Sequence, residues 1–435
     1  MSGKPDIPEL RPLLDESLSA PESVVERLKR DYEDLADTPY PDPIEDHIRE
    51  TYAVDLQARY GPCRLKNPIG KASGQLSLQV DQVRGDIEQG LAFVVLKTVI
   101  AEDPSGSAEM EAWKIHAPRM VCERVRSRNG REGWTVSWRG RGWEGDLRSY
   151  LEFFEAALGL GRAADVPVIP SVKYHLPASF DEAFRSDEYR HTTSLLDASW
   201  RRINPDRPLV LEKDFSPTLA GSDRVESAEL IRRWLETVPR LAKEVLPSRE
   251  IIIGVKVMNA LFDDAFQLDM LRWLCAPDGA ADFVITFNRL FDPEKSFGAH
   301  RGIAHGGHDL SDRNLHVLGE WTRESASSES PRRDLPISGT GNIVDGRLAV
   351  EYALRGCTSL QLHTFFQLPR QAYRCRAFGR SRAALHEILF HPRTGMIAAL
   401  AAIRERWLGL ETAATIRFLD LPRIGRERLS RPDPK

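Results

Sequence analysis

Three apolar segments of the chain carry a lysine where the pattern calls for another apolar side chain. Residues 92–97 read AFVVLK and end at Lys97, residues 168–173 read VIPSVK and end at Lys173, and residues 251–257 read IIIGVKV around Lys256. An ammonium is costly to take out of water without a partner. One such lysine is ordinarily a snorkelling side chain or half of an internal ion pair. Three at equivalent places predict an electropositive mouth on a sheet, suited to a phosphate and a ring that becomes anionic on reduction. A second feature lies in residues 335–366, LPISGTGNIVDGRLAVEYALRGCTSLQLHTFF. A short apolar run reaches the turn Ser338-Gly339-Thr340-Gly341-Asn342, and Asp345 can cap a helix with Ala349, Tyr352 and Ala353 on one face. Gly356 ends that helix, and residues 359–362 read as a buried strand running into His363 and Thr364. This is a βαβ unit. Its turn glycines let backbone N–H groups approach an anion, and the helix N-terminus adds a favourable partial charge; a plain βαβ unit with a tight turn fits the same residues.

Two further stretches carry reactive residue types. Residues 123–143, ERVRSRNGREGWTVSWRGRGW, interleave arginines with Trp134, Trp138 and Trp143. Such a segment can grip an anionic or planar ligand, or stack nucleic-acid bases; the bland reading is a twisted hairpin with solvated charges. His300, His305 and His308 fall in a glycine-rich stretch read as a loop. No cysteine or firm carboxylate beside them completes a tetrahedral set, so no metal site is expected.

The elements that must position these residues follow from periodicity. Strand candidates are 68–73, 92–97, 166–173, 209–214, 251–257, 282–287, 335–338 and 359–362. Between them lie helix candidates such as 78–89, 146–158, 225–245, 263–274 and 345–354. Near-continuous apolar strands alternating with helices predict a parallel sheet buried on both faces, here an α/β fold closed as a (β/α)8 TIM barrel. The 435 residues exceed one typical domain, but such a barrel with insertions can occupy most of them. Residues 1–59 are read as an N-terminal arm with helical pattern near 24–35, residues 60–366 as the barrel, and residues 367–435 as a C-terminal helical extension with a disordered tail from 426. The long connections 98–145 and 174–207 follow the second and third strands, the end of a barrel where active sites are built.

Composition bounds the function. With 41% hydrophobic and 29% charged residues and a net charge of −4, the chain is ordinary globular protein with no global reason to bind nucleic acid. No apolar run is long enough to span a bilayer, and the N-terminus lacks a signal-peptide core, so no membrane contact is expected. Cys63, Cys122, Cys275, Cys357 and Cys375 are scattered without a Cys-x-x-Cys pair, which argues against disulfides or an iron–sulfur cluster and suits a reducing cytoplasm. A soluble cytoplasmic protein is expected.

The motifs become specific in combination. Asn67-Pro68-Ile69-Gly70-Lys71-Ala72-Ser73-Gly74 resembles the first-strand motif of the dihydroorotate dehydrogenases, and Lys97-Thr98 is similar to that family's flavin-contacting Lys-Thr or Lys-Ser. Gly254-Val255-Lys256 resembles its fifth-strand Val-Lys, and Gly306-Gly307 its glycine pair after strand six. Residues 338–342 stand where the family has Gly-Thr-Gly-Gly or Gly-Gly-Gly, and Gln361-Leu362-His363-Thr364 matches Gln-x-Gly-Thr. Order and intervals fit over roughly residues 60–366. The resemblance implies bound FMN, its phosphate held by Gly306, Gly307, Gly341, Asn342 and Thr364. Ala72, Ser73 and Gly74 would pack against the ring, and Thr98, Lys173 and His363 complete the cofactor set. Lys97 and Lys256 would face the ring's polar edge and support its reduction.

The departures bear on substrate. The family's fourth-strand Asn-x-Ser-Cys-Pro-Asn, or its Ser variant, appears as Asp214-Phe215-Ser216-Pro217-Thr218, one residue shorter and with both asparagines replaced. Ser216 is the nearest counterpart of the general base; a hydroxyl capping the loop before Pro217 is the other reading. Asn129 falls in Ser127-Arg128-Asn129-Gly130, which lacks the leading Asn of the family's substrate loop. Asn288-Arg289 falls near its Asn-Ser after strand six. With Asn129, Asp214, Asn288 and Arg289 as the substrate set, the expectation is an FMN-dependent oxidoreductase acting on a CH–CH bond of a small anionic substrate other than dihydroorotate. Dihydrouridine-synthase-like reduction of RNA and a catalytically inactive FMN-binding protein are the competing readings, and a homodimer is left open.

Overall fold

The computed structural model describes residues 10–15, 17–110, 114, 120–138, 142–215, 224–259, 262–297, 300–327, 331–411 and 413–430. Its centre is a ten-stranded sheet in the order Val99–Ile100, Ser171–Lys173, Leu209–Asp214, Ile251–Met258, Phe283–Asn288, Ile337–Thr340, Cys357–Leu362, Ile69–Lys71, Phe93–Val95, Val168–Ile169. Every neighbouring pair is parallel. The order returns on itself: Val99 pairs with Val172 at one end and Val94 with Val168 at the other, so the same two chain segments meet at both ends. This is a curled, barrel-like α/β sheet, and its strands fall within about two residues of the apolar runs that predicted them.

Helices alternate with the strands and pack on one another in succession: Val80–Glu88, Leu147–Ala163, Ser186–Ile203, Arg224–Glu244, Asp264–Leu274, His308–Ser327 and Gly346–Leu354. Arg380–Phe390 then packs against both Gly346–Leu354 and Val80–Glu88, which completes the outer layer. A boundary at residue 366 therefore separates the last strand from the helix that belongs with it. Aspartates start several helices, since a carboxylate at the N-cap satisfies an otherwise unpaired N–H. Asp146 accepts from Ser149 N at 2.8 Å, Asp263 from Phe266 N at 2.9 Å and Asp345 from Leu348 N at 2.7 Å.

The amino ends of the strands are plugged. A short antiparallel pair, Ala58–Tyr60 with Cys63–Leu65, precedes the first sheet strand. Tyr60 stacks on Phe93 with centroids 4.6 Å apart and meets Phe283 edge-on at 4.9 Å. Glycine makes room for these rings: a Cβ on Gly70 would lie 2.3 Å from Phe93, and one on Gly254 would lie 2.2 Å from Phe283.

From Glu22 on, the N-terminal segment is not an arm outside the core. Glu22–Asp37 buries Val24, Leu28 and Ala36 and packs on Arg380–Phe390 and Met396–Ala402. The tail also differs from expectation, because Leu421–Leu429 is a helix that buries Leu421, Ile424 and Leu429. Both segments have apolar stripes that need a covering face, and they find it on the outer helices. No described helix is long and apolar enough to cross a membrane.

Candidate functional site

Above the aromatic plug sits a buried polar network drawn from four chain segments. Glu212, on Leu209–Asp214, is fully buried. Its Oε2 accepts from Tyr60 Oη at 2.6 Å and from Gln361 Nε2 at 2.6 Å, while Lys256 Nζ lies 3.3 Å from Oε1. Lys256 Nζ also donates to Gln361 Oε1 at 3.0 Å. Lys173 pairs with Asp214 at 3.6 Å, and Asp214 is register partner of Lys256 on the next strand. Lys256 and Lys173 thus have internal carboxylates. Lys97 is also buried, its backbone N–H held by Ser77 O at 2.8 Å.

Gly74, Lys97 and Lys256, three of the expected cofactor residues, lie near His363. A Cβ on Gly74 would lie 2.2 Å from His363 Nε2, and Gln367 Nε2 donates to Nδ1 at 3.0 Å. Burial, then the charges of Lys71, Arg289, Lys97 and Lys256, hold the His363 imidazole well below the usual histidine range. Ala72 N–H reaches Leu362 O at 2.9 Å, and Ser73 Oγ, Thr98 Oγ1 and Ser171 Oγ form a hydroxyl chain with spacings of 2.9 and 3.0 Å. Thr364 opens the short turn Thr364–Gln367 next to His363.

The glycine loops meet at the N-terminus of His308–Ser327. Gly341 adopts φ +115, and a Cβ there would lie 2.6 Å from Asn314 Nδ2 and 3.1 Å from Leu310. Asn314 in turn donates to Phe287 O at 3.0 Å and Thr340 O at 2.8 Å, so it ties this helix to two strand ends. Asn342 Nδ2 donates to Ser311 Oγ at 3.0 Å and lies 3.4 Å from His308 Nδ1. Gly307, with φ +90, leads directly into the helix. Gly306 N–H is taken by Thr135 Oγ1 at 2.8 Å, so its donor serves the hairpin above.

That hairpin, Met120–Arg126 with Glu132–Trp138, is the architecture expected of the arginine–tryptophan segment. Arg124 and Arg126 are largely exposed and both face Glu132, and Arg131 pairs with Asp312. Asn129, at the turn, reaches Asp312 at 3.4 Å instead of joining the lysines. Asn288 Oδ1 accepts from Arg289 N at 3.1 Å, while Arg289 Nη2 donates to Thr135 Oγ1 at 3.1 Å and Ala304 O at 2.9 Å. Ser216 and Thr218 lie outside the described residues. The histidine loop is instead the strand His300–His305, and His308 starts a helix. Among the described residues no cluster of His, Cys, Asp and Glu could hold a metal.

Several residues at the site carry no motif. Glu212 and Tyr60 are two. His175 is another: two residues beyond Lys173, it is buried, with Nε2 2.9 Å from Glu182 Oε1 and no partner for Nδ1 among the described residues. Lys213 is buried on the opposite face of its strand from Glu212, donating to Asp214 O at 3.1 Å. Burial, then the neighbouring Lys173 charge, pushes its amine down to about 7.

The cofactor that the resemblance implies fits three observations. Asn342 Oδ1 and both amide atoms of Gln75, the residue after Gly74, are buried with no partner among the described residues. Buried polar atoms without partners cost about 1–3 kcal/mol each, so they mark places where a polar ligand is favoured. The cations around His363 suit an electron-rich ring, and the helix N-terminus with its positive-φ turn suits a phosphate.

No protein-family model matches the chain. It is similar to two dihydroorotate dehydrogenases (quinone). That of Azotobacter vinelandii is 24% identical over 306 residues, covering 69% of this chain and 77% of that protein. That of Ectopseudomonas mendocina is 22% identical over 306 residues, covering 69% and 78%.

Proposed function

We propose that this protein is an FMN-dependent oxidoreductase acting on a CH–CH bond of a small anionic substrate, at the carboxyl ends of a closed (β/α)8 barrel. The observation that carries this reading is the convergence of Lys97, Lys256 and Arg289 on His363, next to the Gly307, Gly341 and Asn342 loops at one helix N-terminus. The similarity to dihydroorotate dehydrogenases supports it.

FMN, when bound, supplies a two-electron hydride acceptor or donor. Gly307, Gly341, Asn342 and Thr364 hold the phosphate, with the Gly306 turn fixed from above by Thr135. Ala72, Ser73 and Gly74 line one side of the ring, Gln75 offers its unpaired amide, and Lys97 and Lys256 present positive charge to the polar edge. His363 stays neutral at neutral pH because of burial and the surrounding cations, and so adds no further charge. The proton acceptor that the described residues offer is His175. Glu182 holds the Nε2 hydrogen, which leaves the lone pair at Nδ1. Tyr174 stacks on Tyr189 at 4.2 Å, and Lys173, the last residue of the strand, pairs with Asp214 at 3.6 Å.

Asp214 and its Lys173 partner replace amides suited to a pyrimidine ring, and Arg289 is the anion partner of the actual substrate. The purified protein is expected to be yellow and to release FMN on denaturation, and dihydroorotate to turn over with kcat/KM below about 10⁴ M⁻¹s⁻¹. A different released cofactor, or none after reconstitution, would refute the cofactor reading. Efficient dihydroorotate oxidation would refute the substrate reading alone.

A further inference from the structure

We propose that Glu212 is a built-in counter-charge to Lys256 that holds down the reduction potential of the bound flavin; the inference rests on the FMN reading above. Glu212 is a positioning residue buried below the ring site, and it acts through Lys256. Among the described residues its hydrogen-bond partners are all donors: Tyr60 Oη at 2.6 Å, Gln361 Nε2 at 2.6 Å and Lys256 Nζ at 3.3 Å. That is the pattern of a carboxylate and not of a carboxylic acid, which would have to donate. Lys256 meets two acceptors, Glu212 Oε1 and Gln361 Oε1, and an ammonium, with three N–H donors and no lone pair, fits both. Gln361 fixes the arrangement by donating to Tyr60 Oη at 3.0 Å as well, and Tyr60 is clamped between Phe93 and Phe283. The carboxylate therefore cannot swing away.

An isolated ammonium favours the electron-rich, anionic form of a nearby ring. An ion pair presents a dipole instead, whose field falls off faster, and in a low-dielectric interior the screening by a charge 3.3 Å away is substantial. The barrel thus carries a cation that orients the ring's polar edge without making the flavin a strong oxidant. Two electrons enter the ring on reduction with one proton, leaving one negative charge; removing the negative charge of Glu212 stabilises that product and leaves the oxidised ring little changed.

The test is the two-electron midpoint potential of the FMN-loaded protein, measured by dye equilibration during slow reduction with dithionite, for the parent, Glu212→Gln and Tyr60→Phe. Glu212→Gln is expected to shift the reduced-to-oxidised ratio at a fixed potential about tenfold toward reduced, a rise of about 30 mV. Tyr60→Phe removes a donor that shares the carboxylate charge, so the potential is expected to fall by a few-fold in the same ratio. Loosened packing would not move the two variants in opposite directions. An unchanged or lowered potential in Glu212→Gln overturns the inference. If that variant fails to fold, an unchanged or raised potential in Tyr60→Phe overturns it. A parent that binds no FMN removes the underlying reading, whereas a parent that binds FMN and variants that share its potential remove only this inference.

Discussion

Replacing Lys256 by methionine should destabilise the fold severely, and the structure says by how much and how it can be repaired. Lys256→Met keeps the length of the side chain but strips Glu212 of its paired cation, leaving a fully buried carboxylate with Tyr60 and Gln361 as its remaining donors. Breaking a buried ion pair from one side costs about 3–5 kcal/mol, because the surviving charge stays desolvated. Glu212→Gln strands the ammonium and should cost a similar amount. In the double variant the neutral amide introduced by Glu212→Gln would need no counter-ion, and the residual defect is the Gln361 Oε1 that Lys256 had satisfied, about 1–3 kcal/mol. Two independent single costs would sum to roughly 6–10 kcal/mol, so the cycle should show a coupling of at least about 3 kcal/mol. Urea unfolding followed by both tryptophan fluorescence and circular dichroism measures it, with coincident transitions required before free energies are taken. A Lys256→Met variant within about 1 kcal/mol of the parent, or a double variant equal to the sum of the singles, would refute the claim that these two groups neutralise each other.

Other consequences are as direct. His386 lies among Tyr32, Tyr40 and Phe390, and burial pushes its imidazole from 6.5 down to about 4. The unfolded chain takes up a proton below 6.5 that the folded one refuses, so this stability is full above 6.5 and is lost as pH falls toward 4, about 3 kcal/mol in all; His386→Gln should flatten that part of the pH profile, and coincident profiles would exclude the assignment. If FMN binds as proposed, Gly341→Asp should weaken its binding at least about tenfold, since a Cβ meets Asn314 at 2.6 Å and a carboxylate would face the proposed phosphate, while Gly341→Ala isolates the steric part. His175→Asn should lower turnover of a substrate found by panel screening by about 10²–10⁴-fold with FMN still bound, and unaltered turnover would remove His175 as proton acceptor.

How legible the fold was depended on what each element buries. The strands were visible because a sheet covered on both faces needs continuous apolar runs, and 209–214 and 251–257 were read almost to the residue. Ser186–Ile203 and His308–Ser327 were not seen as helices, for a shared reason. Their inward faces mix polar with apolar side chains: Thr192, Thr193, Asp197 and Ser199 are buried beside Tyr189, Leu196 and Trp200 in the first, and Ser311, Asp312, Arg313 and Asn314 beside Leu310, Leu315 and Leu318 in the second. Arg313 is fully buried, donating to Asp264 at 2.8 Å and to Phe262 O at 2.7 Å. A hydrophobic period is interrupted wherever ion pairs and amides share the buried face. The same blindness hid Asn314, whose contacts hold the seventh-strand loop, because nothing in its sequence neighbourhood sets it apart.

At the site the three lysines and Asp214 were legible, but Glu212 was passed over although the signal was present. Residues 209–214 read LVLEKD, and side chains two apart on a strand share a face. Glu212 and Asp214 must therefore point together, with Lys213 opposite, and the structure has them so: Glu212 inward on Tyr60, Lys213 outward over Tyr174 and Phe215. The strands of a parallel sheet so assembled run side by side in register, which sets Asp214 across from Lys256 and next to the Lys173 strand. An acid–x–acid alternation in an apolar strand, flanked in the sheet by two strands that each carry a lysine, leaves little else for those charges to do, since a buried carboxylate without a cation is as costly as a buried ammonium without an anion. The lysines thus do not simply await an external anion. The positive charge felt at His363 is set by the difference between cations and built-in carboxylates. Because Lys256 meets Glu212 and Lys173 meets Asp214, that charge is smaller than a count of strand lysines suggests.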